Sequence, residues 1–101
     1  MKRVLIATFV SIAFNGLALA DQKLAGAKNC LACHAMGTAV VGPSLKAVAK
    51  KYAGDKNAPA MLATKIREGG GGVWGAVPMP ANPQVSEADA KKLAAWILSL
   101  K

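Results

Sequence analysis

The chain has 101 residues and a formal net charge of +8, from 13 Lys and Arg against 5 Asp and Glu. That length holds one small domain and excludes a two-domain enzyme. Two cysteines exclude a disulfide-dense mini-fold, and one histidine excludes a multi-histidine metal cage.

The first element is an address rather than part of a fold. Lys2 and Arg3 precede an uncharged, largely apolar stretch over residues 4–20 that ends Ala18-Leu19-Ala20. A basic start, an apolar middle and a small-x-small end describe a secretory signal peptide cleaved after Ala20. The alternative is an uncleaved anchor, but the stretch is short for a bilayer span and is weakened by Ser11, Asn15 and Gly16. The mature domain is then residues 21–101, exported to the periplasm, still basic, with no stable membrane insertion. So short a chain buries a modest core and needs a staple. Export puts its thiols in an oxidising compartment, where paired cysteines need a fixed covalent fate.

The mature domain reads as all-α, with four helices and no convincing strand. The first covers residues 22–33, capped by Asp21, with Leu24, Ala27 and Leu31 near one face. The second opens at Ser44 after Gly42-Pro43 and carries Leu45, Val48, Ala49 and Tyr52 at helical spacing up to Gly54. The third starts near Ala58-Pro59, where proline suits the first turn, with Met61, Leu62 and Ile66 as its apolar side. The fourth starts at Ser86, three residues before Asp89, a relative of the capping box. Its buried stripe is Leu93, Trp96, Ile97 and Leu100. Trp96 is expected in the core, packing the last helix on the first. Between the third and fourth helices, residues 69–85 show no helical period. They hold Gly69, Gly70, Gly71 and Gly72, then Pro78, Pro80 and Pro83. A loop this long in so small a domain is functional or disordered. Val73, Trp74, Val77 and Met79 give it apolar side chains to bury, so it is expected to be ordered.

The chemistry is concentrated in Cys30-Leu31-Ala32-Cys33-His34. Cys-x-x-Cys-His is a c-type haem attachment pattern. Two thiols three residues apart in a helical turn can add to two vinyl groups on one porphyrin edge, and the next residue can ligate the iron. A thioredoxin-like dithiol would want flanking strands, and a structural zinc would want a fourth ligand. A plain Cys30–Cys33 disulfide would leave His34 without a role. With His34 as one axial ligand of a haem c, the other comes from a methionine or a lysine, or the position stays open. Met36 lies too near His34 in sequence to cross to the other face, and Met61 sits on a core stripe. Met79, stiffened by Pro78 and Pro80 and denied helix, is favoured; filling a core gap is its other possible use. Closing a loop of about 45 residues costs on the order of 3 kcal/mol, which haem surface and metal bonds would offset.

Together these residues resemble a known family. The order and spacing of Cys30-Leu31-Ala32-Cys33-His34, Val41-Gly42-Pro43-Ser44-Leu45, Gly72-Val73-Trp74-Gly75, Pro78-Met79-Pro80-Ala81-Asn82 and the terminal helix with Trp96 are similar to those of the class I cytochromes c. The likeness is to the small periplasmic mono-haem type of bacterial respiration and denitrification. The resemblance implies about four helices wrapped around one covalent haem c, with His34 and Met79 as axial ligands. It implies that the Pro43 carbonyl accepts the His34 Nδ1–H bond, that the Trp74 indole N–H reaches a haem propionate, and that Asn82 bonds near the methionine. It also implies that Lys65 stands near a propionate where the family often has arginine; lysine there lacks the bidentate fork. Tyr52 is expected at the pocket edge. The continuous glycine run is more extreme than the family pattern.

With both axial positions filled by the chain, the expected function is one-electron carriage rather than catalysis. Lys23, Lys28, Lys46, Lys50, Lys51, Lys56, Lys65 and Arg67 are expected to steer a monomer onto acidic surfaces of redox proteins such as a nitrite reductase, a peroxidase or a terminal oxidase. A quinol-oxidising membrane complex is an expected donor, and nucleic acid is not an expected partner. The alternative is a haem enzyme, or a gas- or peroxide-binding protein, with a displaceable methionine.

Overall fold

The computed structural model describes residues 15–101, with side chains from Leu19 onward. The leader expected over residues 1–20 therefore lies, up to residue 14, outside the described residues. Four α-helices follow in order: α1 (Asn15–Ala27), α2 (Leu45–Lys51), α3 (Ala58–Glu68) and α4 (Glu87–Ser99), with a one-turn 3-10 helix at Cys30–Ala32 after α1. Among the described residues there is no strand, only two isolated antiparallel bridges, His34 with Ala39 and Gly70 with Met79.

The helix starts follow local chemistry. Ser44 caps α2, its hydroxyl accepting from the Ala47 N–H at 3.1 Å, and Ser86 caps α4 by accepting from Asp89 N–H at 3.1 Å. Glu87 and Asp89 put acidic charge at the positive end of α4. Pro59 stands in the first turn of α3, where its missing N–H costs nothing. The first helix departs from expectation. Asp21 lies inside α1 rather than at its cap, and the helix stops at Ala27. The chain then turns through Asn29, the single non-glycine residue at positive φ (66°) among the described residues, before the 3-10 turn. Asparagine tolerates this left-handed region better than most side chains. The break re-aims the chain just ahead of Cys30.

The core is built on α4, which packs against α1, α2 and most extensively α3. Leu93, Ala94 and Trp96 from α4 join Leu45 and Val48 from α2, Leu62, Ala63 and Ile66 from α3, and Ala25 from α1. Val85, immediately before the Ser86 cap, is fully buried, as is Ala90 one turn later. The two occupy the positions of a hydrophobic staple, which sets the angle at which the long loop enters α4. The apolar side chains of the glycine-rich loop face the cleft described below rather than the packed helix core. Val73, Trp74 and Val77 are 51%, 46% and 68% exposed, and only Met79 among its expected apolar anchors is half-buried. No helix among the described residues is long and apolar enough to cross a membrane.

Candidate haem site

A mostly apolar cleft, open to solvent, lies between the 3-10 turn, α2, α3 and the long loop. Cys30, Cys33, His34, Pro43, Lys65, Trp74 and Met79 all line it, so the chain brings together every expected site residue except Asn82. Leu93 and Trp96 of the core form part of its wall, so the core and the cleft share side chains.

The 3-10 turn sets the attachment end. Cys33 N–H and His34 N–H both donate to the Cys30 carbonyl, at 3.2 and 3.0 Å, which coils the motif tightly around one oxygen. The two cysteines are half-buried and not joined to each other. Burial pushes the Cys30 thiol above its ordinary range, partly countered by its backbone hydrogen bond. His34 Nδ1 lies 2.7 Å from the Pro43 carbonyl oxygen. A carbonyl only accepts, so the ring proton is on Nδ1 and the Nε2 lone pair is left for a ligand. Gly42 lies against the same ring: a Cβ added there would come 2.6 Å from His34 Cε1 and 2.9 Å from Nδ1. The imidazole is thus held by a hydrogen bond at its edge and a bare backbone on its face.

The far side is built by the end of α3 and the loop that returns to it. Gly70 and Met79 exchange backbone hydrogen bonds of 3.0 and 2.7 Å. Asn82 donates from its backbone N–H to Arg67 O at 3.1 Å, and from its side-chain nitrogen to Ile66 O at 2.9 Å and Pro80 O at 3.3 Å. Asn82 therefore braces the loop three residues past Met79 and takes up carbonyls that the end of α3 leaves unpaired. The half-buried Lys65 lays its ammonium against Gly70 at the cleft wall. Lys51 Nζ stands 5.6 Å from the Trp74 ring centroid and 5.9 Å from that of Tyr52, joining α2 to the loop by a shared cation–π contact. At 46% exposure Trp74 is a rim residue, not core, whereas Trp96 is core at 5%.

Two features escaped the sequence reading. In sequence Arg67 reads only as surface charge, yet its Nε donates to the Val85 carbonyl at 3.2 Å and ties the end of α3 to the start of α4. Gly42 reads as a helix-start signal, and no local pattern distinguishes that use from support of His34.

The cleft fits a haem on its donor chemistry: two thiols in one turn, an imidazole with Nε2 free, a thioether and an ammonium on largely apolar walls. Comparison with known proteins agrees. The cytochrome c family profile matches residues 20–101. Cytochrome c-552 of Nitrosomonas europaea is 52% identical over 103 residues, covering all of both chains. Cytochrome c-552 of Hydrogenobacter thermophilus is 52% identical over 102 residues, again covering all of both. The crystal structure of the Nitrosomonas europaea cytochrome c552 superposes with a TM-score of 0.78 at 56% identity, covering 79% of this chain and 99% of that one. The chain belongs to the cytochrome c family. Within it, the fold is the class I fold of the small bacterial c-552 and c-551 proteins. It is a small haem-c electron carrier rather than an enzyme, and it acts with redox partners.

Proposed function

We propose that this chain is a periplasmic one-electron shuttle whose haem is held covalently by Cys30 and Cys33 and axially by His34 and Met79. The bound group supplies exchange of one electron between the ferrous and ferric states. The observation that carries the reading is the 2.7 Å bond from His34 Nδ1 to Pro43 O, in a cleft that Cys30, Cys33 and Met79 also line. That bond fixes the tautomer, leaves Nε2 as the donor atom and raises its basicity. Met79 offers a soft thioether, which favours the ferrous state, and filling both axial positions denies the iron to oxygen and peroxide. Trp74 and Lys65, one at the rim and one on the wall, are suited to hold propionates, and Asn82 keeps the Met79 segment on α3.

Residues 1–20 are read as a leader removed on export. Leu19 and Ala20 are exposed and, among the described side chains, the first buried one is Ala25, so a cut after Ala20 removes no described core side chain. Residues 21–101 are then the carrier domain, working as a monomer. Lys46, Lys50, Lys51 and Lys56 are exposed on and just after α2, the helix that forms one wall of the cleft. This arrangement favours docking of the haem edge onto acidic surfaces of redox proteins.

The test is a reduced-minus-oxidised spectrum with pyridine haemochrome analysis on protein matured in the periplasm, with its intact mass. A thioether-type haemochrome is expected, together with a weak far-red band in the ferric protein that Met79→Ala abolishes. A mass equal to the bare processed polypeptide refutes haem attachment. Ready carbon monoxide binding at neutral pH without the far-red band refutes Met79 ligation.

A further inference from the structure

We propose that Gly69 and Gly70 are positioning residues for Met79, together forming a backbone template that sets where its sulfur stands; the proposal rests on Met79 being the axial ligand. Gly69 ends α3 at φ 72° and ψ −163°, and Gly70 follows at φ 140°. Both conformations are open essentially to glycine alone. They turn the chain so that it runs antiparallel to the Met79 segment at backbone contact distance.

The contact is closest at Gly69. A Cβ there would collide with the Met79 carbonyl oxygen and lie 2.8 Å from both Pro80 C and Ala81 N. These are backbone atoms and cannot swing aside as a side-chain end can. Gly70 then donates to Met79 O and accepts from Met79 N, at 3.0 and 2.7 Å. Both polar backbone groups of Met79 are thereby used, so its peptide is fixed while its side chain is left to the cleft. Asn82 anchors the same segment three residues later on Ile66 O and Arg67 O.

The rest of the glycine-rich loop is less constrained: at Gly71 an added Cβ comes 3.2 Å from Pro78 Cα, tight but short of a collision. Gly72 and Gly75 also have positive φ, 90° and 122°, but a Cβ at either meets nothing within 4 Å. Glycine there serves conformation alone. At Gly70 an added Cβ meets the movable Lys65 ammonium, at 2.6 Å, rather than backbone. Gly69 is thus the position where a single methyl group must displace the Met79 peptide itself.

The experiment uses the full chain matured with haem and compares Gly69→Ala with Gly54→Ala. Gly54 also has positive φ, 77°, but nothing lies within 4 Å of its Cβ position. The ferric far-red band reports the iron–sulfur bond, and imidazole added as a competitor reports how readily the sulfur is displaced. Gly69→Ala is expected to weaken the band and lower the imidazole midpoint about tenfold, with Gly54→Ala within about twofold of the parent. A Gly69→Ala protein that titrates like Gly54→Ala overturns the proposal. If Gly69→Ala does not mature, Gly70→Ala is expected to shift the midpoint roughly threefold, and a parent-like Gly70→Ala overturns it. Met79→Ala separates the two failures. Retention of the band in that variant refutes Met79 ligation itself, whereas its loss beside a parent-like Gly69→Ala refutes only the template.

Discussion

Replacing Gly42 by alanine isolates the support of His34 from every other feature of the cleft. Gly42 does not occupy the positive-φ region, so alanine fits its backbone without strain. The added methyl would lie 2.6 Å from Cε1 and 2.9 Å from Nδ1 of His34, so the ring must move. Movement costs the 2.7 Å bond to Pro43 O, and a hydrogen bond of this kind contributes about 0.5–1.5 kcal/mol. The bond makes the imidazole a stronger donor and so favours ferric iron. If its whole contribution is lost from the ferric state, the reduction potential rises by about 20–65 mV, at 59 mV per tenfold for one electron. Spectroelectrochemistry of the haem-loaded protein measures this directly. The matched control is Gly37→Ala, which also lacks positive φ and whose Cβ meets nothing within 4 Å. Equal potentials for the two variants refute the reasoning.

Val85→Ala removes the equivalent of two methylenes from a fully buried site. It is expected to cost about 2 kcal/mol, or a fall in Tm of roughly 8–16 °C, while Val77→Ala on the exposed loop stays within about 0.5 kcal/mol. Chemical denaturation followed by circular dichroism checks both. Ser44→Ala takes the hydroxyl from the Ala47 N–H and is expected to cost about 1 kcal/mol in the same assay. Electron transfer to an acidic redox protein is expected to slow steeply between low and high ionic strength, and a flat rate refutes steering by the lysines of α2.

Much of this fold was legible because its signals are local. Serine at the starts of α2 and α4, Pro59 in the first turn of α3 and the stripe on α4 each act within a few residues, and each helix begins within a residue or two of its marker. The haem motif was legible for the same reason. What escaped was decided across the chain. The break after Ala27 depends on Asn29 adopting a left-handed conformation, which residue type permits but does not compel. Val85 sits among turn-forming residues and is buried only because α4 starts beside it. Val73 and Val77 line the cleft rather than the helix core, a placement that depends on how the loop returns to α3. Gly42, Gly69 and Arg67 act on His34, Met79 and Val85 through contacts invisible to any local window.

The helix that unites the other three is the last one in the chain. Because α1, α2 and α3 each pack on α4 and share Leu93, Ala94 and Trp96 or their neighbours, a change that loosens α4 loosens all three at once, together with the stretch of cleft wall that Leu93 and Trp96 form.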